Sequence, residues 1–187
     1  PLLADTREKV ILELEGRRLT FTNLNKIYYP EEGYTKRDLL NYYCQVADLI
    51  LPYLRDRPLS LRRYPDGIHG ESFFQKEAAE HFPDWLRVEP IYSEHNDAPI
   101  RFVVADDLSS LLFLANLGCI DQNPWMSRIG SLEHPDFLLI DLDPQQCDYD
   151  RIVEAALLVR SKLEQLGLTG YPKTTGGDGM HIYVPLE

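Results

Sequence analysis

Between residues 10 and 22, VILELEGRRLTFT alternates apolar and polar positions on either side of Glu15-Gly16. That period of two reads as two strands joined by a tight turn. The pattern then changes to a helical one. In TKRDLLNYYCQVADLILPYL, Leu39, Tyr43, Val46 and Ile50 recur at helical intervals, and Thr35 and Asp38 stand at capping-box spacing before them. A helix is expected from 35 to 54. PLSLRRY and IRFVVAD read as short strands, and Asp106 or Asp107 is placed to cap a helix through LSSLLFLANLG that Gly118 ends. YDRIVEAALLVRSKLEQL, from 149 to 166, reads as a second amphipathic helix stopped by Gly167. No repeat, low-complexity tract or long linker divides the 187 residues.

Composition and charge narrow the class. The chain is 44% hydrophobic, enough for one real core, and has no apolar run of membrane-spanning length. PLLADTREKV lacks a basic start followed by an apolar stretch, so no secretory leader is expected and the expected address is cytoplasmic. Cys44, Cys119 and Cys147 are odd in number, far apart and in no CxxC pair, which argues against a disulfide framework or a structural zinc site. The net charge of −11 argues against nucleic-acid binding through bulk positive charge. Any such role must be local. Lys36-Arg37, Arg55, Arg57, Arg62 and Arg63 cluster in the first half, whereas Asp141 to Asp150 is acidic. A phosphate-facing patch beside a cation-binding patch fits this asymmetry, although solvated surface is the commoner meaning of a charge run.

FLLIDLDP carries the first chemical signal. On a strand Asp141 and Asp143 emerge on the same side, and two like charges that close need compensation. Water at an exposed strand end is one answer; a shared hard cation such as Mg²⁺ or Mn²⁺ is the other. Taken alone, DLDP is better explained by a strand end that turns at Pro144. The second signal is YPKTTGGDGMHIYVPL. Its glycines let backbone N–H groups approach an anion, its threonines add hydroxyls, and His181 and Tyr183 share one face of the following strand. A plain glycine-rich turn is the bland reading. The order of strand with paired acids, helix, glycine turn and strand with histidine is more restrictive, and points to a metal–nucleotide site.

Five ordered blocks extend this pattern: TNLNKIYYPEEGYTKRDLLNYY, RPLSLRRYPDGIHGESFFQKEAAEHFPDW, VADDLSSLLFLANLGCIDQNPW, DFLLIDLDP and PKTTGGDGMHIYVPL. Together they resemble the polymerase domain of bacterial ligase D and its stand-alone relatives in the archaeo-eukaryotic primase superfamily, over essentially the whole chain. The resemblance implies a mixed α/β (α+β) fold: a primase-type catalytic core of two helix-covered sheets, preceded by a helix and strand portion. It implies a single domain over 1–187, with a DNA-end-binding portion over 1–98 and a catalytic portion over 99–187.

The resemblance also implies a template-dependent nucleotidyltransferase of non-homologous end joining. Such an enzyme adds nucleoside triphosphates, ribonucleotides in preference, to primer 3′ ends at gaps and breaks. Asp141 and Asp143 then hold the catalytic Mn²⁺ or Mg²⁺ ions. Arg62, Arg63, Asn123, Thr175, Gly176, Gly177 and His181 line the nucleotide. Asn23, Lys26 and Lys36 hold the 5′-phosphate of the downstream strand, where one amide and two ammonium groups suit a terminal phosphate. Phe73 and Phe74 stack on bases. DNA ends, an ATP-dependent DNA ligase and the Ku protein are the partners implied, at a nucleoid-associated cytoplasmic address and without a membrane.

Departures from the family pattern set the alternatives. Asn123 stands where many relatives have histidine, and an amide cannot carry the positive charge. Asp178 stands in the glycine turn where many have lysine, and faces repulsion from a triphosphate unless it turns outward or meets a cation. The family's third metal-binding acid lies downstream of the histidine motif and has no counterpart here, so the chain is expected to be shorter than the family domain and to bind a phosphorylated end better than it polymerises. A non-catalytic 5′-phosphate end-binding module is therefore the second reading. An unrelated transferase with an acid-x-acid motif explains DLDP, but leaves the lysines and FFQKE unexplained.

Overall fold

Glu15 and Gly16 both adopt positive φ, 51° and 73°, the backbone of a two-residue turn whose twist matches the strands it joins. They connect β1 (Val10–Leu14) to β2 (Arg17–Phe21), the hairpin expected from the alternation. The computed structural model describes residues 2–186. It divides into two compact units, one ending at Trp125 and one starting at Met126.

In the first unit, β3 (Ile27–Tyr29) and β4 (Tyr34–Thr35) form a short ladder that leads directly into α1 (Lys36–Leu54). Thr35 caps this helix. Its side chain accepts from the Asp38 N–H, and the Asp38 carboxylate accepts from the Thr35 N–H at 2.7 Å. The buried face of α1 is Leu39, Leu40, Tyr43, Ala47, Leu51 and Leu54. Val46 and Ile50, expected on that face, are only half-buried, because the stripe that meets the core lies one position around the helix.

β5 (Leu59–Arg63) is the hub of a five-stranded antiparallel sheet, pairing with β6 (Phe73–Gln75), β8 (Ala98–Val103) and β9 (Cys119–Pro124), while β7 (Val88–Ser93) pairs with β8. α2 (Leu108–Asn116) packs on α1 and is capped by Asp107, which accepts from the Ser110 N–H at 2.9 Å. The core of this unit joins Leu59 and Leu61 of β5, the inner faces of both helices, and Val10, Leu19 and Phe21 of the hairpin.

The second unit runs β10 (Phe137–Leu142), α3 (Tyr149–Gln165), β11 (Tyr171–Thr174) and β12 (Met180–Pro185). Its sheet is antiparallel in the order β10-β12-β11, and Leu163, Ile182 and Val184 form its buried centre. Four sheets exist among the described residues where two were expected. The β3–β4 ladder was missed because two- and three-residue strands leave almost no periodic trace in a sequence. The mixed α+β class holds.

Candidate functional site

In the first unit the backbone draws Asn23, Lys26 and Lys36 to one corner. Asn23 has φ 55° and its carbonyl accepts from the Lys26 N–H at 3.0 Å; the Lys26 carbonyl in turn accepts from the Lys36 N–H at 2.8 Å. Lys36 is the first residue of α1, and its side chain runs inward, 4% exposed. Its Nζ donates to the Thr22 carbonyl at 2.9 Å. An ammonium has three N–H donors, so two remain for a further acceptor. Burial, with the positive charges of Lys26 and Arg63 adding to it, pushes the Lys36 pKa down to about 8. Lys26 donates to the Pro65 carbonyl at 2.7 Å and pairs with the Asp66 carboxylate. Asn23 is exposed.

Arg62 and Arg63 are neighbours on β5, so their side chains leave opposite faces of the sheet. Each lies over the phenylalanine directly across the ladder. Arg62 sits 5.6 Å from the centre of the Phe74 ring and 5.2 Å from that of Tyr64, and Arg63 sits 5.3 Å from that of Phe73. Asp121, opposite Arg62 on β9, approaches its guanidinium at 3.8 Å and accepts from the Tyr64 hydroxyl at 3.0 Å. Asn123 shares this face, exposed, its amide donating to the Ser60 carbonyl at 3.1 Å. Arg63 donates through Nε to the Leu117 carbonyl at 3.0 Å and through Nη1 to Gln75 at 2.8 Å. Phe73 and Phe74 are both exposed, 46% and 63%, as a stacking role requires and a core role does not.

In the second unit Asp141 faces His181 across the β10–β12 ladder, with Oδ1 3.4 Å from Nε2. His181 Nδ1 is enclosed and has no hydrogen-bond partner. Asp143 lies one residue past the end of β10 and is exposed, like Asp141. Gly179 decides where it rests. A Cβ there would stand 2.6 Å from Asp143 Oδ1 and 2.9 Å from the Leu142 carbonyl, so only a glycine lets this carboxylate lie against the turn. Thr175 closes the same turn: its N–H and its hydroxyl both donate to the Gly179 carbonyl at 3.2 Å, and its Oγ1 accepts from the Gly177 N–H at 3.3 Å. Gly176 has φ 90°. Beside the turn a cleft of about 660 Å³ is lined by Tyr149, Cys147, Thr174, Gly176, Gly177 and the exposed Asp178.

Thus Asp141, Asp143, Thr175, Gly176, Gly177 and His181 gather on one sheet end of the second unit, while Asn23, Lys26, Lys36, Arg62, Arg63, Phe73, Phe74 and Asn123 belong to the first. Two exposed carboxylates on one side of a strand end are the donor type a hard divalent cation takes. Among the described residues no third His, Cys, Asp or Glu joins them in a metal-holding group. Asp121, Tyr64, Gln75 and Asp66, which hold the cationic side chains in place, were not singled out from sequence. Apart from Tyr64, two residues from Arg62, their partners come from other strands and loops, where only the tertiary fold brings them close.

The family model described as "LigD, primase-polymerase domain" matches residues 35–187. This chain belongs to that family. The bifunctional non-homologous end joining protein LigD of Bacillus subtilis is 36% identical over 171 residues, covering 91% of this chain and 27% of that protein. The multifunctional LigD of Pseudomonas aeruginosa is 38% identical over 160 residues, covering 84% of this chain and 19% of its own. This member of the LigD primase-polymerase family thus spans about a quarter or less of those relatives. Among solved structures, the polymerase domain of Mycobacterium tuberculosis ligase D in complex with DNA superposes with a TM-score of 0.81 at 31% identity, over 91% of this chain and 62% of that one. The α+β fold is therefore that of the LigD primase-polymerase domain. No helix among the described residues is long and apolar enough to cross a membrane.

Proposed function

We propose that this LigD-type chain acts in non-homologous end joining, recognising 5′-phosphorylated DNA ends and adding nucleotides, ribonucleotides in preference, to the primer 3′ end at gaps and breaks. The observation that carries the reading is the packing of Asp143 against Gly179, which sets a carboxylate beside the glycine turn at the sheet end where Asp141 meets His181. Asp141 and Asp143 would hold Mn²⁺ or Mg²⁺, and that ion, when bound, neutralises charge on the α-phosphate and the leaving pyrophosphate. Backbone N–H groups of Gly176 and Gly177, the Thr175 hydroxyl and the His181 ring line the place for the triphosphate. Asn23, Lys26 and Lys36 receive the terminal phosphate, and Phe73 and Phe74 offer aromatic faces to unpaired bases. An ATP-dependent ligase and Ku are the expected partners on chromosomal DNA in the cytoplasm.

The test is extension of a 5′-phosphorylated gapped duplex with Mn²⁺ and ribonucleoside triphosphates. Asp141→Ala and Asp143→Ala are expected to abolish extension and to leave binding of the phosphorylated end intact. Extension that survives both substitutions rejects the assignment. The second reading, an end-binding module without catalysis, is favoured by the buried Lys36 ammonium, which keeps two N–H donors for a further acceptor in the first unit. Under it the unsubstituted chain gives no product, yet still prefers a 5′-phosphate over a 5′-hydroxyl.

A further inference from the structure

We propose that Lys173 is a further nucleotide contact, an ammonium that meets the phosphate tail of the incoming triphosphate beyond its α-phosphate and makes the site prefer three phosphates to one; this rests on the nucleotide-addition reading above. The register of the second sheet supplies the placement. Lys173 of β11 is the cross-strand partner of His181 on β12, and His181 is the partner of Asp141 on β10, so the three side chains form one row on one face. Pro172 and its partner Ile182 line the apolar groove against α3, which puts the row on the face that the helix leaves open. Adjacent strands stand about 4.8 Å apart, so Lys173 lies roughly 10 Å across the sheet from Asp141, with His181 between them. Its flexible stem lets the ammonium swing back along the row, toward an anion lying over His181.

The second support is charge. Of the other cations in the second unit, Arg128 pairs with Asp136, Arg151 with Glu154 and Arg160 with Glu164, and Lys162 of α3 donates to Gln165. The Lys173 side chain is exposed and has no hydrogen bond or ion pair among the described residues. Meanwhile Asp178, the one charged side chain of the turn TTGGDG, is negative and exposed, as are Asp141 and Asp143. A divalent ion on Asp141 and Asp143 offsets charge at the α-phosphate, and the turn itself offers only neutral N–H and hydroxyl donors. The remaining phosphates therefore meet a lysine charge on this face at Lys173, a point charge of the kind that phosphate takes.

A lysine beside a proline on an edge strand can instead guard the sheet against pairing with another chain. Calorimetric titration of the full chain with adenosine 5′-triphosphate and with adenosine 5′-monophosphate, each with Mn²⁺, separates the two roles. Lys173→Gln, which keeps the edge polar, is expected to weaken the triphosphate about tenfold, the scale of one charged hydrogen bond. The monophosphate should stay within about twofold, and Lys173→Arg, which keeps the charge, should hold the triphosphate within about twofold. Asp178→Lys added to Lys173→Gln returns a positive charge to the turn and is expected to recover part of the loss. Unchanged triphosphate affinity, with or without the aggregation that loss of an edge guard would give, overturns the proposal. So does equal weakening for both nucleotides, or an arginine variant as weak as the glutamine one. If the unsubstituted chain binds neither nucleotide, or if Asp141→Ala leaves Mn²⁺-dependent triphosphate binding intact, the nucleotide-addition reading itself fails and this inference falls with it.

Discussion

Asp141 and His181 are cross-strand partners, with Asp141 Oδ1 3.4 Å from His181 Nε2, and this ties the acid of one strand to the imidazole that follows the glycine turn. The Asp141 side chain is 54% exposed, so the pair is worth less than about 1 kcal/mol. Asp141→Asn should therefore separate function from fold. Calorimetric Mn²⁺ affinity is expected to drop at least about tenfold, the loss of one charged ligand, while the thermal midpoint barely moves.

Gly179→Ala carries the opposite signature. A Cβ 2.9 Å from the Leu142 carbonyl meets backbone that cannot swing aside, and at 2.6 Å from Asp143 Oδ1 it drives the carboxylate off the turn. Overpacking of this kind costs about 1–3 kcal/mol. Faster limited proteolysis of the second unit, together with weakened Mn²⁺ binding, is the expected result; unchanged Mn²⁺ affinity would separate Asp143 from the turn.

Lys36 opposes stability to function. Burial holds its pKa at about 8 rather than 10.5, so the folded chain binds fewer protons than the unfolded one between those values. The Lys36 contribution to stability therefore rises with pH from about 8 to 10.5 as the unfolded state alone keeps its proton, Cys119 acts in the opposite sense above about pH 9 because its buried thiol stays protonated, and below pH 8 the charged Lys36 carries a penalty of about 3 kcal/mol. Lys36→Met is expected to raise the urea midpoint at pH 7, to make the change in stability between pH 7 and 9.5 less positive than in the unsubstituted chain, and to remove the preference for a 5′-phosphate. Urea titrations at pH 7 and 9.5 give the first two outcomes.

The three thiols should separate in reactivity. Cys147 is exposed beside the cleft, Cys44 is half-buried, and Cys119 is buried, with its thiol pushed up to about 12 by desolvation. A disulfide reagent is expected to modify Cys147 first and Cys119 only on unfolding. Protection of Cys147 by a nucleoside triphosphate with Mn²⁺ would locate the nucleotide in that cleft, and undiminished labelling under saturation would exclude it.

The hairpin at Glu15-Gly16, the capped start of α1, the cap of α2 and the strand bearing Asp141 were all legible in the chain, because each leaves a pattern within a few consecutive residues. A positive-φ turn, a side chain reaching three residues back and a pleat of period two write themselves into local order. Strands β6, β7 and β9 were not legible, and neither were Val46 and Ile50 as half-buried positions, since partners distant in sequence define them.

The sequence by itself determined the family pattern, the residue types of both candidate sites, and the elements that carry Lys36, Arg62, Arg63, Asp141 and His181. Only the tertiary structure decided that the Lys36 ammonium is buried, that Asp66 pairs with Lys26, that Asp121 meets Arg62, and that Asp143 rests on Gly179. Those outcomes depend on strand register and on which loop closes over which side chain, and close packing between residues far apart in the chain sets both.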